Sequence, residues 1–175
     1  MYNTSVLFNR SGDIAATYRK IHMFEAQLDN GQAVREADAF HAGDCPVMTD
    51  IEGWATGMSV CYDLRFPELF RRYADHLVKL ILIPANFTQY TGKAHWEILV
   101  RARAIENQCF VVAPNQCGTN PVTGVASYGN SMAVAPWGEI LCRAGDSEEL
   151  LIAELDPEQL TVARSRIPAI QHRRL

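Results

Sequence analysis

No stretch of this sequence is long and apolar enough to cross a bilayer. The longest apolar run is Leu80, Ile81, Leu82, Ile83, Pro84 and Ala85, where a spanning helix needs roughly 20 residues, so no membrane partner is expected. There is no basic block either: 16 Lys plus Arg stand against 20 Asp plus Glu, for a net charge of −4, which argues against a nucleic-acid partner. None of the five cysteines forms a C-x-x-C pair, and no Cys/His pairing has the spacing of a zinc site. The first ten residues show no basic segment leading into an apolar one, which with the odd cysteine count predicts reduced thiols in a cytoplasmic setting. Also missing are G-x-S-x-G, P-loop and G-x-G-x-x-G signatures, so serine-hydrolase, kinase and dinucleotide readings find no support, and neither metal nor cofactor is expected. Repeats and low-complexity segments are absent too. What remains is 175 residues of ordinary globular composition, 48% hydrophobic and 21% charged, a length that suits one domain.

Short strand-like runs alternate with helical ones. Residues 5–9 and 14–19 flank Ser11, Gly12 and Asp13, a turn signal that predicts a hairpin. The polar stretch 25–44 reads as a long ordered loop carrying a helical turn, and such loops are usually functional. Residues 54–60 and 78–84 read as buried strands. Between them, Pro67 is placed for a first helical turn, followed by Leu69, Phe70, Tyr73 and Leu77 at helical spacing. Residues 93–108 form the clearest helix, with Trp96, Leu99, Val100 and Ala104 on one side and Ile98, Ala102 and Ile105 on another. Two apolar sides predict burial on both, between layers or at a subunit interface. Further strands are expected at 109–114, 131–135, 139–143 and 150–155, and a last helix from Pro157 that cannot pass Pro168. The alternation predicts an α/β or α+β layered protein.

Cys61 is the most suggestive chemical position, since it ends a buried strand immediately before a helix entry. Outward-pointing N–H groups there favour thiolate, although a buried structural cysteine is the more ordinary use of that residue. Lys20 leaves a strand end, where it is either a site residue or simply solvated. Glu36 lies in the long loop. Arg65 follows Cys61 by four residues and suits a substrate carboxylate bidentately, or an internal pair with Asp63 or Glu68. The five histidines are scattered, without metal-ligand spacing.

Taken together, Tyr18-Arg19-Lys20-Ile21-His22-Met23-Phe24, then Glu36, then Gly57-Met58-Ser59-Val60-Cys61-Tyr62-Asp63-Leu64-Arg65-Phe66-Pro67-Glu68-Leu69, resemble the carbon–nitrogen hydrolase (nitrilase) superfamily. So do TGKAHWEILVRARAIEN at 91–107 and Ala135-Pro136-Trp137-Gly138-Glu139. The likeness runs over essentially the whole chain and is strongest to the Nit branch of ω-amidases and deaminated-glutathione amidases. It implies an α+β, four-layer αββα sandwich, with residues 1–175 as the C-terminal portion of the domain. It also implies a catalytic role for Cys61 as nucleophile, for Lys20 and for Glu36. The Lys20 ammonium and the Tyr62 backbone N–H would stabilise the oxyanion, and Arg65 would meet the substrate. The expected reaction is hydrolysis of the terminal amide of a small carboxylic-acid amide through a thioester, releasing ammonia, without metal or cofactor, in a homo-oligomer.

The family's general-base glutamate precedes the lysine on an early strand, and only Asp13 is acidic in residues 1–19. The resemblance therefore implies that the first strands, the first helices and the base lie outside this chain. Residues 1–175 alone would then be feebly active, with the edges of 54–60 and 78–84 exposed. Alternative readings are a catalytically inactive truncated fragment serving as a folding or oligomerisation partner, and a nitrilase or N-carbamoyl amidohydrolase using the same cysteine.

Overall fold

The computed structural model describes residues 1–27 and 33–174. The predicted hairpin is β1 (Thr4–Phe8) against β2 (Ile14–Arg19), antiparallel around Gly12. In the polar stretch, β3 (Glu25–Gln27) pairs with β4 (Ala33–Arg35), and one 3-10 turn, Glu36–Asp38, follows. The expected helical turn is therefore there, but so is a strand pair; the part of that call covering residues 28–32 lies outside the described residues.

The body is a six-stranded mixed sheet in the order β10-β9-β8-β7-β6-β5. Its strands are β5 (Val47–Ile51), β6 (Trp54–Met58), β7 (Leu80–Leu82), β8 (Phe110–Ala113), β9 (Met132–Val134) and β10 (Ile140–Arg143). The central three run parallel and their neighbours antiparallel. The two runs expected to present open edges, 54–60 and 78–84, are thus interior strands with partners on both sides. The strand that was not anticipated, β5, covers the first of them.

Parallel neighbours need crossovers, and two helices supply them. Helix α1 (Pro67–Asp75) opens on Pro67, whose missing N–H is no loss in a first turn. Helix α2 (Gln89–Asn107) begins four residues before the pattern indicated, because Thr88 caps it by accepting from Thr91 N–H; it ends where Gln108 turns left-handed at φ 48°. Both helices pack on one face of the sheet. There Phe70, Tyr73, Trp96 and Val100 meet Ile81, Val111 and Val134. Truncating a fully buried side chain such as Trp96 costs about 3–5 kcal/mol. Gly57 on β6 is dictated by this contact, since a Cβ there would lie 2.6 Å from the Tyr73 ring.

The opposite face carries Leu80, Phe110 and Ala135, with Leu155 and with Leu160 of α3 (Pro157–Arg166). Apolar cover on both faces explains why the parallel strands read as unbroken hydrophobic runs rather than as alternation. A one-turn helix, α4 (Ala169–His172), restarts after Pro168.

Two further expectations change. Residues 150–155 are not a strand: their burial alternates as it would in one, but they pair with no strand among the described residues. The second apolar side of α2 is not between layers, for Ile98 is 69% and Ile105 48% exposed on the outside of the chain.

Candidate active site

The parallel strands β6, β7 and β8 all end on one side of the sheet, and an α/β sheet presents its crevice there. Beyond the strands the ladder continues for a few residues: Ser59 N–H donates to Leu82 O, Cys61 N–H to Pro84 O at 2.9 Å, and Ala85 N–H to Pro114 O. These bonds bring Val60–Tyr62, Pro84–Thr88 and Pro114–Gln116 together as three walls of a cavity of about 860 Å³. The fourth wall comes from Asn3 just before β1, Lys20 and Phe24 between β2 and β3, and Glu36 just after β4. All five residues singled out from the sequence (Cys61, Lys20, Glu36, Tyr62 and Arg65) line this one cavity.

Cys61 begins a 3-10 turn, Cys61–Arg65, directly after β6, and its backbone is left-handed at φ 51°. That conformation is disfavoured for any residue with a Cβ and recurs where structure is held for function. Its Sγ lies 3.7 Å from Asn86 O. Burial is the main influence on the thiol and pushes it above its ordinary value. The charge of Lys20 opposes this, and those of Glu36 and Asp63 add to it. The next amide, Tyr62 N–H, has no acceptor among the described residues and stays available. By contrast, Cys109 is wholly buried with its thiol pushed up to about 12, a structural cysteine. All five cysteines are free.

Lys20 is only 2% exposed, and its ammonium pairs with Glu36 Oε2. Glu36 is held further by Phe24 N–H at 2.8 Å and by Asn3 Nδ2 at 3.0 Å. Burial pushes the Glu36 carboxyl up, but the bonds from Lys20, Phe24 and Asn3 outweigh it and leave the group below its usual range. Both oxygens accept hydrogen bonds, Oε2 from Lys20 and Phe24 and Oε1 from Asn3. Lys20 itself is fixed through its backbone: its N–H donates to Asn3 O, and its carbonyl accepts from Gly43 N–H at 2.8 Å. Gly43 passes so close that a Cβ would stand 2.2 Å from Arg19 O.

Arg65 makes no internal pair with Asp63 or Glu68. Among the described residues it has no carboxylate partner; its guanidinium lies over the Phe87 ring at 5.2 Å and the Tyr62 ring at 5.9 Å, with His95 Nδ1 at 3.4 Å. An unpaired, aromatic-backed guanidinium on a cavity wall is suited to an incoming carboxylate. Asp63 is elsewhere, fully buried and bonded to Tyr18, His22 and Val60. Sequence reasoning passed over these three partners and treated the histidines as scattered. The available signal was the placement of Tyr18 and His22 two residues either side of Lys20. Among the described residues, no three His, Cys, Asp or Glu side chains gather as metal ligands, and no helix is long and apolar enough to cross a membrane.

Residues 1–165 match the carbon-nitrogen hydrolase family. A deaminated glutathione amidase of Synechocystis sp. is 40% identical over 174 residues, covering 98% of this chain and 64% of the relative. The crystal structure of Saccharomyces cerevisiae Nit3, of the nitrilase superfamily, superposes with a TM-score of 0.87 at 34% identity, covering 99% of this chain and 60% of that one. An amidase from Nesterenkonia sp. AN1, solved with the acetamide moiety of fluoroacetamide added covalently at its active-site cysteine, reaches a TM-score of 0.79 at 29% identity, covering 98% and 58%. The chain thus spans a little under two thirds of these proteins' lengths. With the family match running over nearly all its residues and the nitrilase-type fold shared, the chain belongs to the carbon-nitrogen hydrolase family.

Proposed function

We propose that this chain carries the acyl-transfer site of an amidase that hydrolyses the terminal amide of a small dicarboxylic-acid monoamide. The observation that carries the reading is the convergence of the Cys61 thiol, the uncommitted Tyr62 N–H and the Glu36-held Lys20 ammonium on one cavity, with the unpaired Arg65 guanidinium on its wall. The carboxylate of the substrate pairs with Arg65, which places the distal amide over Cys61. Sγ then attacks the carbonyl carbon, and the oxyanion that forms is met by Lys20 Nζ and Tyr62 N–H. The C–N bond breaks, ammonia leaves with the proton taken from the thiol, and a thioester remains. Water adds to the thioester, releases the carboxylic acid and returns the proton to sulfur.

A base is needed because burial keeps the thiol protonated. In Glu36 and Asp63, the two carboxylates that act on Cys61, both oxygens already accept hydrogen bonds. The resemblance assigns the base to a glutamate on a strand preceding Lys20 in the family. The relatives' activities, that of the deaminated glutathione amidase among them, support an amide as the substrate.

The test is ammonia release from a panel of ω-amides, nitriles and carbamoyl compounds, together with mass spectrometry of the chain incubated with a glutamine-analogue amide. An adduct confined to the Cys61 peptide is expected. Preference for nitriles, or an adduct on any other cysteine, would overturn the assignment.

A further inference from the structure

A fully buried carboxylate lies two residues beyond Cys61 and takes no part in the acylation outlined above. Asp63 Oδ2 accepts from the Tyr18 hydroxyl at 2.7 Å and from Val60 N–H at 2.9 Å. Its Oδ1 accepts from His22 N–H at 3.0 Å and, in the tautomer with the proton on Nδ1, from the His22 ring at 2.7 Å. The His22 ring is stacked on Phe66 with centroids 3.8 Å apart, which fixes its orientation.

The partners are arranged in pairs around the two reacting groups. Tyr18 and His22 stand two residues before and after Lys20. Val60 and Asp63 enclose Cys61 and Tyr62, and they are bonded in both directions, since Asp63 N–H returns to Val60 O at 3.1 Å. One carboxylate therefore joins the segment that carries the ammonium to the turn that carries the thiol, and it grips both flanks of each. That turn includes the left-handed Cys61 and the uncommitted Tyr62 N–H. If the link opened, Cys61 would be free to relax toward ordinary backbone angles, and Sγ and the Tyr62 N–H would turn away from Lys20. Displacement of about 1 Å in such an arrangement can cost on the order of 10²-fold in rate.

We propose that Asp63 is a positioning residue that sets the register between the Lys20 ammonium and the Cys61–Tyr62 turn. This deepens the amidase reading above and rests on it.

Coupling between the two positions tests it. The chain is acylated with the 4-nitrophenyl monoester of glutaric acid, following nitrophenolate release and the mass of the Cys61 peptide. Alkylation of Cys61 by iodoacetamide, which builds no oxyanion, is measured alongside. In the wild-type background Lys20→Ala should slow acylation by about 10²–10³-fold, the effect of one lost oxyanion donor. Asp63→Asn should slow acylation at least about tenfold, and in that background Lys20→Ala should cost under about tenfold, because Lys20 is already out of register. Alkylation of Asp63→Asn should stay within a few-fold of wild type or rise. The same Lys20→Ala penalty in both backgrounds would overturn the proposal, as would alkylation falling as far as acylation. Where Asp63→Asn does not fold, Tyr18→Phe, which deletes one of the four bonds, must show the same pattern in milder form; a full Lys20→Ala penalty there counts equally against it. Wild-type chain that is alkylated at Cys61 yet never acylated would overturn the amidase reading itself, a result distinct from an unchanged penalty.

Discussion

Glu36→Gln removes the charge that faces Lys20 and changes almost nothing in shape. In the wild type the ammonium is 2% exposed and the Glu36 side chain 14%, so the pair is shielded from water. Removing one partner of a buried ion pair costs about 3–5 kcal/mol, because the other charge is left uncompensated. The glutamine oxygen still accepts from part of the set formed by Lys20, Phe24 N–H and Asn3, which places the expected loss near the lower end, about 3 kcal/mol. A loss of that size is a large share of the 5–15 kcal/mol that holds an ordinary domain together, and it is readily measured by equilibrium urea unfolding. The pH dependence gives a second, independent criterion. Burial pushes the Glu36 carboxyl up, but its three hydrogen bonds leave it below the ordinary range in the folded chain. A lowered folded value means the stabilisation is complete above the unfolded value of about 4.3 and is lost as pH falls through the folded value. Glutamine does not titrate. The gap between wild type and Glu36→Gln should therefore be full at pH 7 and should narrow below about pH 4. A gap under about 0.5 kcal/mol at pH 7, the range of a surface change, or one that does not shrink in acid, would refute the reading of Glu36 as the counter-charge of a buried lysine.

Other expectations concern the cavity itself. Cys61→Ala should keep the native circular dichroism spectrum and lose all acylation, and any residual ammonia release of wild-type size would remove Cys61 as nucleophile. Cys61→Gly should be more stable than Cys61→Ala by about 0.5–1 kcal/mol, since relief of the left-handed backbone exceeds glycine's added unfolded-state entropy; a glycine variant that unfolds first would show that the turn stores no strain. Because burial raises the Cys61 thiol, its alkylation by iodoacetamide should climb only above the ordinary thiol range, and a midpoint at or below pH 8 would contradict this. Arg65→Ala should raise KM about 10–100-fold for amides that carry a carboxylate, the worth of a charge-assisted hydrogen bond, and should leave neutral amides unaffected. Equal effects on both substrate types would take Arg65 out of substrate recognition.

Much of the fold was legible from local patterns. Pro67, the spacing of Leu69, Phe70 and Tyr73, and the length of the α2 pattern reported helices because helical periodicity is a property of consecutive residues. The hairpin around Gly12 was equally local. The apolar runs of β6 and β7 announced buried strands, and parallel strands covered on both faces carry that signal undiluted. Residues 150–155 have the composition and alternation of a strand but find no partner among the described residues, and pairing is a matter of neighbours, which no run of residues encodes alone. The outward side of α2 was apolar by sequence, while its exposure at Ile98 and Ile105 was a question of which layer came next.

At the site, position in the sequence pointed only to Cys61, at a strand end before a helix entry, and to Arg65 close behind it; Lys20, Glu36 and Tyr62 were singled out through the resemblance to the carbon–nitrogen hydrolase superfamily. Their mutual placement was decided by tertiary structure alone. Lys20 and Glu36 pair across 16 residues, Tyr18 and Asp63 across 45, and neither distance has any period that sequence could display. The same holds for Arg65, whose sequence neighbours Asp63 and Glu68 looked like its partners until Asp63 proved to be committed to Tyr18, His22 and Val60. Short-range order follows from backbone sterics and side-chain periodicity, which act between residues a few positions apart. Which charge is buried against which, and which is left to face the cavity, follows from desolvation, and that depends on the whole surrounding shell.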